Sequence, residues 1–299
     1  MVKAKPSLGP FLRPAPHGEL SLDFADPEAV KQLNQALLAL HYGLRDWDLP
    51  PGALCPPVPG RADYLHHLAG LLDGDPAPGS RPHPRHLLDI GTGASCIYPL
   101  LGALGQGWTF VATDISAESL TWAQRLVGAA RLEDRITLRL QAFPDRIFEG
   151  ITRPDERFDA CLCNPPFHDS REEAEQGTLR KLRNLARRKV SHSVLNFGGR
   201  DNELWCAGGE VAFIRRMISE SAQRPFLCRW YTTLVAKSLH LPALQAELDR
   251  ARPRHRRLIE MRQGQKISRI LAWSFVEDTA SLAAMRPGPS APAPKGGRC

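Results

Sequence analysis

Several protein classes are excluded by what this sequence lacks. Its seven cysteines are odd in number and scattered, with no Cys-x-x-Cys pair, so neither a zinc site nor a disulfide framework is indicated. No stretch is long and apolar enough to span a membrane. Residues 1–16 lack the apolar run of a signal peptide. No internal repeat is present. Acidic residues are the minority, 32 against 39 Lys and Arg, for a formal net charge of +7. The expected setting is reducing and cytoplasmic, without a metal, and the basic surplus favours a polyanionic partner.

What is present suits one large α/β domain with additions, since 299 residues of which 42% are hydrophobic can bury a sizeable core. Residues 1–18, rich in Pro, Lys and Gly, read as a mobile arm, and residues 19–85 as a helical segment plus linker. Asp26 is a fair N-cap with Pro27 at the first helical position, and Val30, Leu33, Leu37, Leu40 and Leu44 recur at helical spacing as one expected buried stripe. A second helix is expected near Arg61, with Leu65, Leu68 and Leu72 on one face. A cation in a helix's first turn opposes the dipole. Arg61 therefore either meets an anion such as a carboxylate or is an arginine tolerated in solvent.

Residues 86–278 read as an α/β unit, with strands at 86–90, 108–113, 136–140, 158–163, 226–235, 256–261 and 270–275. Residues 279–299 read as a disordered tail. Strands alternating with helices predict a doubly wound, mostly parallel sheet with its ligand at the carboxyl strand ends. Asp89-Ile90-Gly91-Thr92-Gly93 follows the first strand, Asp114 ends the second, Gln141 ends the third and Asn164-Pro165-Pro166-Phe167 ends the fourth. Gly91 and Gly93 allow a tight turn and close backbone approach to a ligand. An acid after the second strand can accept both ribose hydroxyls of an adenosine cofactor. Cys96 stands where a dinucleotide fingerprint would place its third glycine, which disfavours a nicotinamide enzyme.

Two prolines in a row cannot donate ladder hydrogen bonds, so the fourth strand stops there. The Asn164 amide oxygen and the Asn164 and Pro165 carbonyls are acceptors for an exocyclic amine, and Phe167 offers a face on which a planar ring can stack. A tight loop with an incidental phenylalanine is the plainer reading of the tetrapeptide alone. Arg180, Lys181, Arg183, Arg187, Arg188 and Lys189 form a basic run just beyond it, placed to grip RNA phosphates. Residues 250–257, with five arginines in eight positions, are a second basic run that either contacts RNA or only flanks a strand.

The glycine turn resembles the Asp-x-Gly-x-Gly loop of S-adenosylmethionine-dependent methyltransferases, and Asn164-Pro165-Pro166-Phe167 matches their N-methylating branch. A series of further motifs runs in order along the chain: Cys55-Pro56-Pro57-Val58-Pro59-Gly60-Arg61-Ala62-Asp63-Tyr64, Leu195-Asn196-Phe197-Gly198-Gly199, Glu203-Leu204-Trp205-Cys206, Gly208-Gly209-Glu210, Gln263-Gly264-Gln265-Lys266 and Leu271-Ala272-Trp273-Ser274-Phe275. Together they are similar to the bacterial large-subunit ribosomal RNA methyltransferase F family, with eukaryotic methyltransferase-like protein 16 as a relative. The resemblance spans about residues 20–275.

It implies a Rossmann-like class I methyltransferase fold with a seven-stranded sheet, S-adenosylmethionine as cofactor, and transfer of a methyl group to N6 of one adenine in 23S ribosomal RNA. The partner it implies is that RNA or a large-subunit assembly intermediate. On this resemblance Arg61 pairs with the cofactor carboxylate, Asp89, Gly91 and Gly93 line its amino-acid end, and Asp114 holds its ribose. Gln141 either approaches its adenine or is an ordinary strand-end residue. Asn164, Pro165 and Phe167 would hold the target base. Guanine N2 and a protein glutamine remain alternative acceptors, because Asn-Pro-Pro-aromatic turns serve such amines too. A non-catalytic RNA-binding protein on the same fold is the reading from a different class.

Overall fold

The computed structural model describes residues 1–14, 19–24, 26–51, 53, 55–74, 85–167, 169, 206–263 and 266–277. Short strands β1 (Leu12–Pro14) and β2 (Leu20–Leu22) pair antiparallel. Before them lies a 3-10 helix, Pro6–Phe11, whose Leu8 is fully buried and whose Ser7 hydroxyl donates to Gln32 Oε1 at 2.6 Å. The first fourteen residues are thus anchored against the next helix, where composition alone predicted an arm.

That helix, α1 (Pro27–Tyr42), begins as its sequence predicts: the Asp26 carboxylate accepts from Glu28 N at 2.9 Å and from Ala29 N at 3.4 Å. Gly43, at φ +68°, ends it. Its buried face differs from the expected leucine stripe. Ala29, Asn34, Gln35, Ala36 and Leu38 point inward, and Leu40 is 50% exposed. The reason is the proline-heavy crossing that follows, whose carbonyls need donors. Asn34 Nδ2 supplies Pro56 O at 2.8 Å and Gln35 Nε2 supplies Trp47 O at 2.9 Å. Helix α2 (Val58–Asp73) buries Leu65, Leu68 and Leu72 as expected, with Arg61 and Tyr64 on the same inward face.

The main sheet contains β3 (His86–Ile90), β4 (Thr109–Asp114), β5 (Ile136–Leu140), β6 (Phe158–Cys163), β7 (Cys228–Val235), β8 (His255–Gln263) and β9 (Lys266–Ser274). Its order is β5-β4-β3-β6-β7-β9-β8, and every strand runs one way except β9, which is antiparallel to both neighbours. This is the predicted seven-stranded, mostly parallel sheet. The chain steps outward from β3 to β5, then returns to lay β6 on the other side of β3. That reversal opens a crevice at the carboxyl ends of β3 and β6.

One face of the sheet is covered by α2, α3 (Ile97–Gln106) and α4 (Ala117–Ala129), and the other by α5 (Gly209–Gln223) and α6 (Leu241–Ala251). Leu65, Leu68 and Leu72 of α2 share a single core with Leu100 of α3, Val127 of α4 and Leu87 of β3. Strands β6 and β7 are buried along their whole length, as expected of central strands covered by helices on both faces. Cys161 and Cys163 are small core residues within β6. Among the described residues no helix is long and apolar enough to cross a membrane.

Candidate active site

The loop after β3 is shaped by two glycines, Gly91 at φ +74° and Gly93 at φ +64°, in a backbone region costly for other residues. Its amides are tied to β4. Gly91 N and Thr92 N both donate to Thr113 O, at 3.0 and 2.9 Å. Gly93 N donates to Asp114 Oδ2 at 2.8 Å, while Asp114 Oδ1 accepts from Ser116 N at 2.8 Å. Asp114 therefore braces both loops and still borders the cleft. Trp47, from the segment before α2, donates its indole N–H to Ser95 O at 3.0 Å. Cys96, which replaces a glycine of the dinucleotide pattern, takes a left-handed conformation at φ 47° and caps α3.

Asp89 lies beneath this loop, 1% exposed, and neither carboxylate oxygen has a hydrogen-bond partner among the described residues. Burial pushes its pKa up to about 7. The Asp114 charge adds to that, while Thr92 and Arg61 oppose it. The Thr92 hydroxyl is near enough to exert this influence but not in bonding geometry, and it too lacks a partner.

Arg61 is buried, in the first turn of α2, with its guanidinium facing the same cleft. Its Nη1 donates to Tyr98 Oη at 2.9 Å and its Cζ lies 5.4 Å from the centre of that ring, but Nε has no partner. Among the described residues no carboxylate pairs with it. A buried cation without a counterion is costly, so the cleft is built for an anion at this end.

The far wall is the loop after β5. Gln141 was expected to approach an adenine or to be a plain strand-end residue. Its side chain borders the cleft, yet both ends are committed to the loop backbone: Nε2 donates to Glu149 O at 2.9 Å and Oε1 accepts from Phe143 N at 2.9 Å. Glu220 of α5 clamps the same loop, accepting from Ile147 N at 2.9 Å and Phe148 N at 2.9 Å. The sequence carried no motif for Glu220; its only signal was a charge placed three residues beyond the inward-facing Met217.

The turn after β6 closes the cleft. Asn164 Oδ1 is buried and accepts no hydrogen bond among the described residues, Pro165 is buried, and Phe167 is half-buried. The cleft, of about 580 Å3, is lined by Arg61, Gly91, Gly93, Asp114, Gln141, Asn164 and Pro166. Six of the predicted site residues thus meet at one place. Asp89 sits under its floor, and Pro165 and Phe167 flank Asn164 without lining it. Cys206, Ala207, Phe213 and Arg216, just before and within α5, complete the lining; the sequence reading named Cys206 only within a family motif and gave the other three no role.

Arg180, Lys181, Arg183, Arg187, Arg188 and Lys189 lie outside the described residues. In the second basic run, Arg250 pairs with Glu247, Arg254 with Glu277 and Arg256 with Asp249. Three of its five arginines are therefore held in local ion pairs.

The polar atoms that border the cleft test what it can hold. Arg61 Nε suits a carboxylate, the Asp114 carboxylate beside open glycine backbone suits a ribose diol, and Asn164 Oδ1 suits an amine hydrogen. These donors and acceptors fit an amino-acid-bearing nucleoside such as S-adenosylmethionine with an amine acceptor next to it.

Comparison with known proteins places these features in a family. A family model described as RNA methyltransferase matches residues 1–277. Ribosomal RNA large subunit methyltransferase F of Cronobacter sakazakii is 52% identical over 281 residues, covering 94% of this chain and 90% of that protein. The protein of the same name from Pseudomonas entomophila is 48% identical over 287 residues, covering 95% and 90%. Among solved structures, the human METTL16 catalytic domain in complex with MAT2A 3′UTR hairpin 1 superposes with a TM-score of 0.78 at 33% identity, covering 93% of this chain and 90% of that one. The N-terminal domain of human METTL16 in complex with SAH gives 0.73 at 29%, covering 92% and 93%.

Proposed function

The chain belongs to the RNA methyltransferase family, and on that premise we propose that it uses S-adenosylmethionine to methylate N6 of one adenine in 23S ribosomal RNA. The observation that carries the reading is Asn164 Oδ1, a buried acceptor without a donor among the described residues, at the rim of a cleft also lined by Arg61, Asp114, Gly91 and Gly93. When bound, S-adenosylmethionine supplies an electrophilic methyl group. Arg61 holds its carboxylate, the Gly91 and Gly93 backbone admits its amino-acid end above Asp89, and Asp114 holds its ribose. Gln141 acts through the loop it clamps, which walls the adenine end.

On the acceptor side, Asn164 Oδ1 takes one amine hydrogen and the Pro165 carbonyl takes the other. Both acceptors draw the nitrogen lone pair out of conjugation and aim it along the transfer axis. Phe167 stacks on the base, worth roughly 1–3 kcal/mol by analogy with other base–aromatic stacks. Alignment supplies most of the rate in such an in-line displacement, so the site needs no strong general base. An adenine in a duplex must first flip out. Residues 180–189 then grip phosphates beside the turn. The N-terminal helices act as part of the cofactor site rather than as a separate module, because Arg61 and Trp47 both come from them. The setting is the cytoplasm, where ribosomal RNA of bacteria is made and assembled.

The test is methylation of ribosomal RNA from a strain lacking this activity, followed by nucleoside mass spectrometry and site mapping. N6-methyladenosine at a single 23S position, lost with Asn164→Ala, is the expected result. Methylguanosine would keep the fold and cofactor but overturn the acceptor. No methyl transfer to naked RNA or to assembly particles would overturn the RNA reading and direct the search to a protein acceptor.

A further inference from the structure

Three arginines border the cleft, and two of them already have a role: Arg61 awaits the cofactor carboxylate and Arg146 is ion-paired. Arg61 donates to Tyr98, and Arg146 is paired with Glu149 and lies 4.8 Å from the centre of the Phe143 ring. The third, Arg216, is half-buried in the middle of α5 and, among the described residues, has neither a hydrogen bond nor an ion pair. Phe213 precedes it by three residues, so both project from one face of the helix into the same space. A partly desolvated guanidinium loses hydration without compensation unless an anion arrives.

The helix that carries Arg216 ties it to the acceptor turn. Its charge acts on the Cys206 thiol, which burial raises and Arg216 opposes, and Cys206 in turn influences Cys163, the last residue of β6 before Asn164. The start of α5 also touches the exit of the catalytic turn: a Cβ on Gly209 would come within 3.2 Å of Asp169 N. Arg216 is therefore the cation on the acceptor side of the cleft, as Arg61 is the cation on the α2 side.

We propose that Arg216 is an RNA-binding residue whose guanidinium pairs with a backbone phosphate flanking the target nucleotide, fixing the strand as the base enters the Asn164 turn. This rests on the RNA reading above and names a contact within it. A planar guanidinium offers paired N–H donors to two phosphate oxygens, which fixes orientation as well as supplying charge. The side chain reads no base, so its effect falls on binding and register rather than on base identity.

The test compares wild type, Arg216→Gln and Arg216→Lys on unmodified 23S ribosomal RNA transcribed in vitro. Arg216→Gln is expected to raise the RNA KM about tenfold, as for loss of one charged hydrogen-bonded contact. It should make the slope of log affinity against log salt shallower by about 0.7 to 0.9, the value of one phosphate contact. Cofactor affinity, measured by calorimetry without RNA, and kcat at saturating RNA should stay within about twofold. Arg216→Lys should restore the slope but only part of the affinity, since a point charge replaces a fork.

An unchanged RNA KM and salt slope in Arg216→Gln would overturn the proposal. So would a weakened cofactor affinity with the RNA slope intact, which would assign the guanidinium to the cofactor. Wild-type protein that binds the RNA but transfers no methyl group would sink the catalytic reading alone, with the slope still judging Arg216. Failure of the wild type to bind RNA at all would end both.

Discussion

The hydroxyls of Tyr64 on α2 and Thr232 on β7 lie 2.8 Å apart in the fully buried core, and Thr232 passes its own proton to Cys161 O at 2.7 Å. Tyr64 is thus the donor in a chain that runs from the N-terminal helices to the strand carrying the catalytic turn. Arg61 lies three residues earlier on the same helix. Tyr64→Phe keeps the ring and removes one hydrogen bond, so it should cost about 1 kcal/mol in urea unfolding and leave cofactor affinity nearly intact. Tyr64→Ala leaves a cavity worth about 3–5 kcal/mol and should weaken cofactor binding as Arg61 loses its support. Equal cofactor affinity in both variants would show that α2 holds Arg61 without this contact.

Gln141 and Glu220 hold one loop from opposite sides, the first through Glu149 O and Phe143 N, the second through Ile147 N and Phe148 N. Either substitution, Gln141→Ala or Glu220→Ala, frees a wall of the cofactor cleft, so the second adds little once the first is made. The double variant should fall short of additivity in cofactor affinity, with a coupling of roughly 0.5–3 kcal/mol. Strict additivity would mean that the loop has other, independent anchors.

Much of the proposed site was legible because its residues have strong local signatures. Gly91, Gly93 and Pro165 announce backbone geometry, and Asp114 and Asn164 fall at strand ends that an apolar run followed by a turn locates well. Asp26 was legible as a cap for the same reason, and it accepts the expected amides. The inward face of α1 was not, because hydrophobic spacing says nothing about a neighbour whose carbonyls need Asn34 and Gln35 as donors. Arg216 was hidden by the converse effect. A basic residue on an amphipathic helix reads as a solvent face, and only the tertiary fold turns that face into a cleft wall.

Asp89 makes the stability of the ligand-free protein depend on pH. Its pKa in the fold is about 7, above the ordinary carboxylate value near ~3.9, because burial disfavours its charge. The folded state therefore binds more protons than the unfolded state between these values, and stability falls as pH rises through that window. The full penalty, on the order of 4 kcal/mol, is reached above pH ~7. Asp89→Asn mimics the neutral form. Its advantage over wild type in urea midpoint should be smallest near pH ~4, grow as pH rises towards ~7 and be fully present near pH ~8. Parallel profiles for the two proteins would mean that Asp89 does not carry the shift. The same substitution should weaken cofactor binding at the higher pH, where the wild-type charge would face a cationic ligand.

Asn164 separates function from stability most sharply. Its Oδ1 is buried and unpaired among the described residues, which bear the desolvation of an acceptor and supply no hydrogen bond to it. Asn164→Ala removes that burden together with the acceptor for the target amine. The variant should lose methyl transfer by about a hundredfold to a thousandfold, the range for removing one aligning polar contact at a reacting centre. Its cofactor affinity should stay within about threefold, and its melting temperature should be equal to or above that of wild type. Asn164→Asp keeps an acceptor of the same reach but adds a buried charge, so it should retain more activity than Ala while melting lower. A drop in melting temperature for Asn164→Ala would point to a structural partner for the amide. Wild-type transfer by it would remove Asn164 from the reaction.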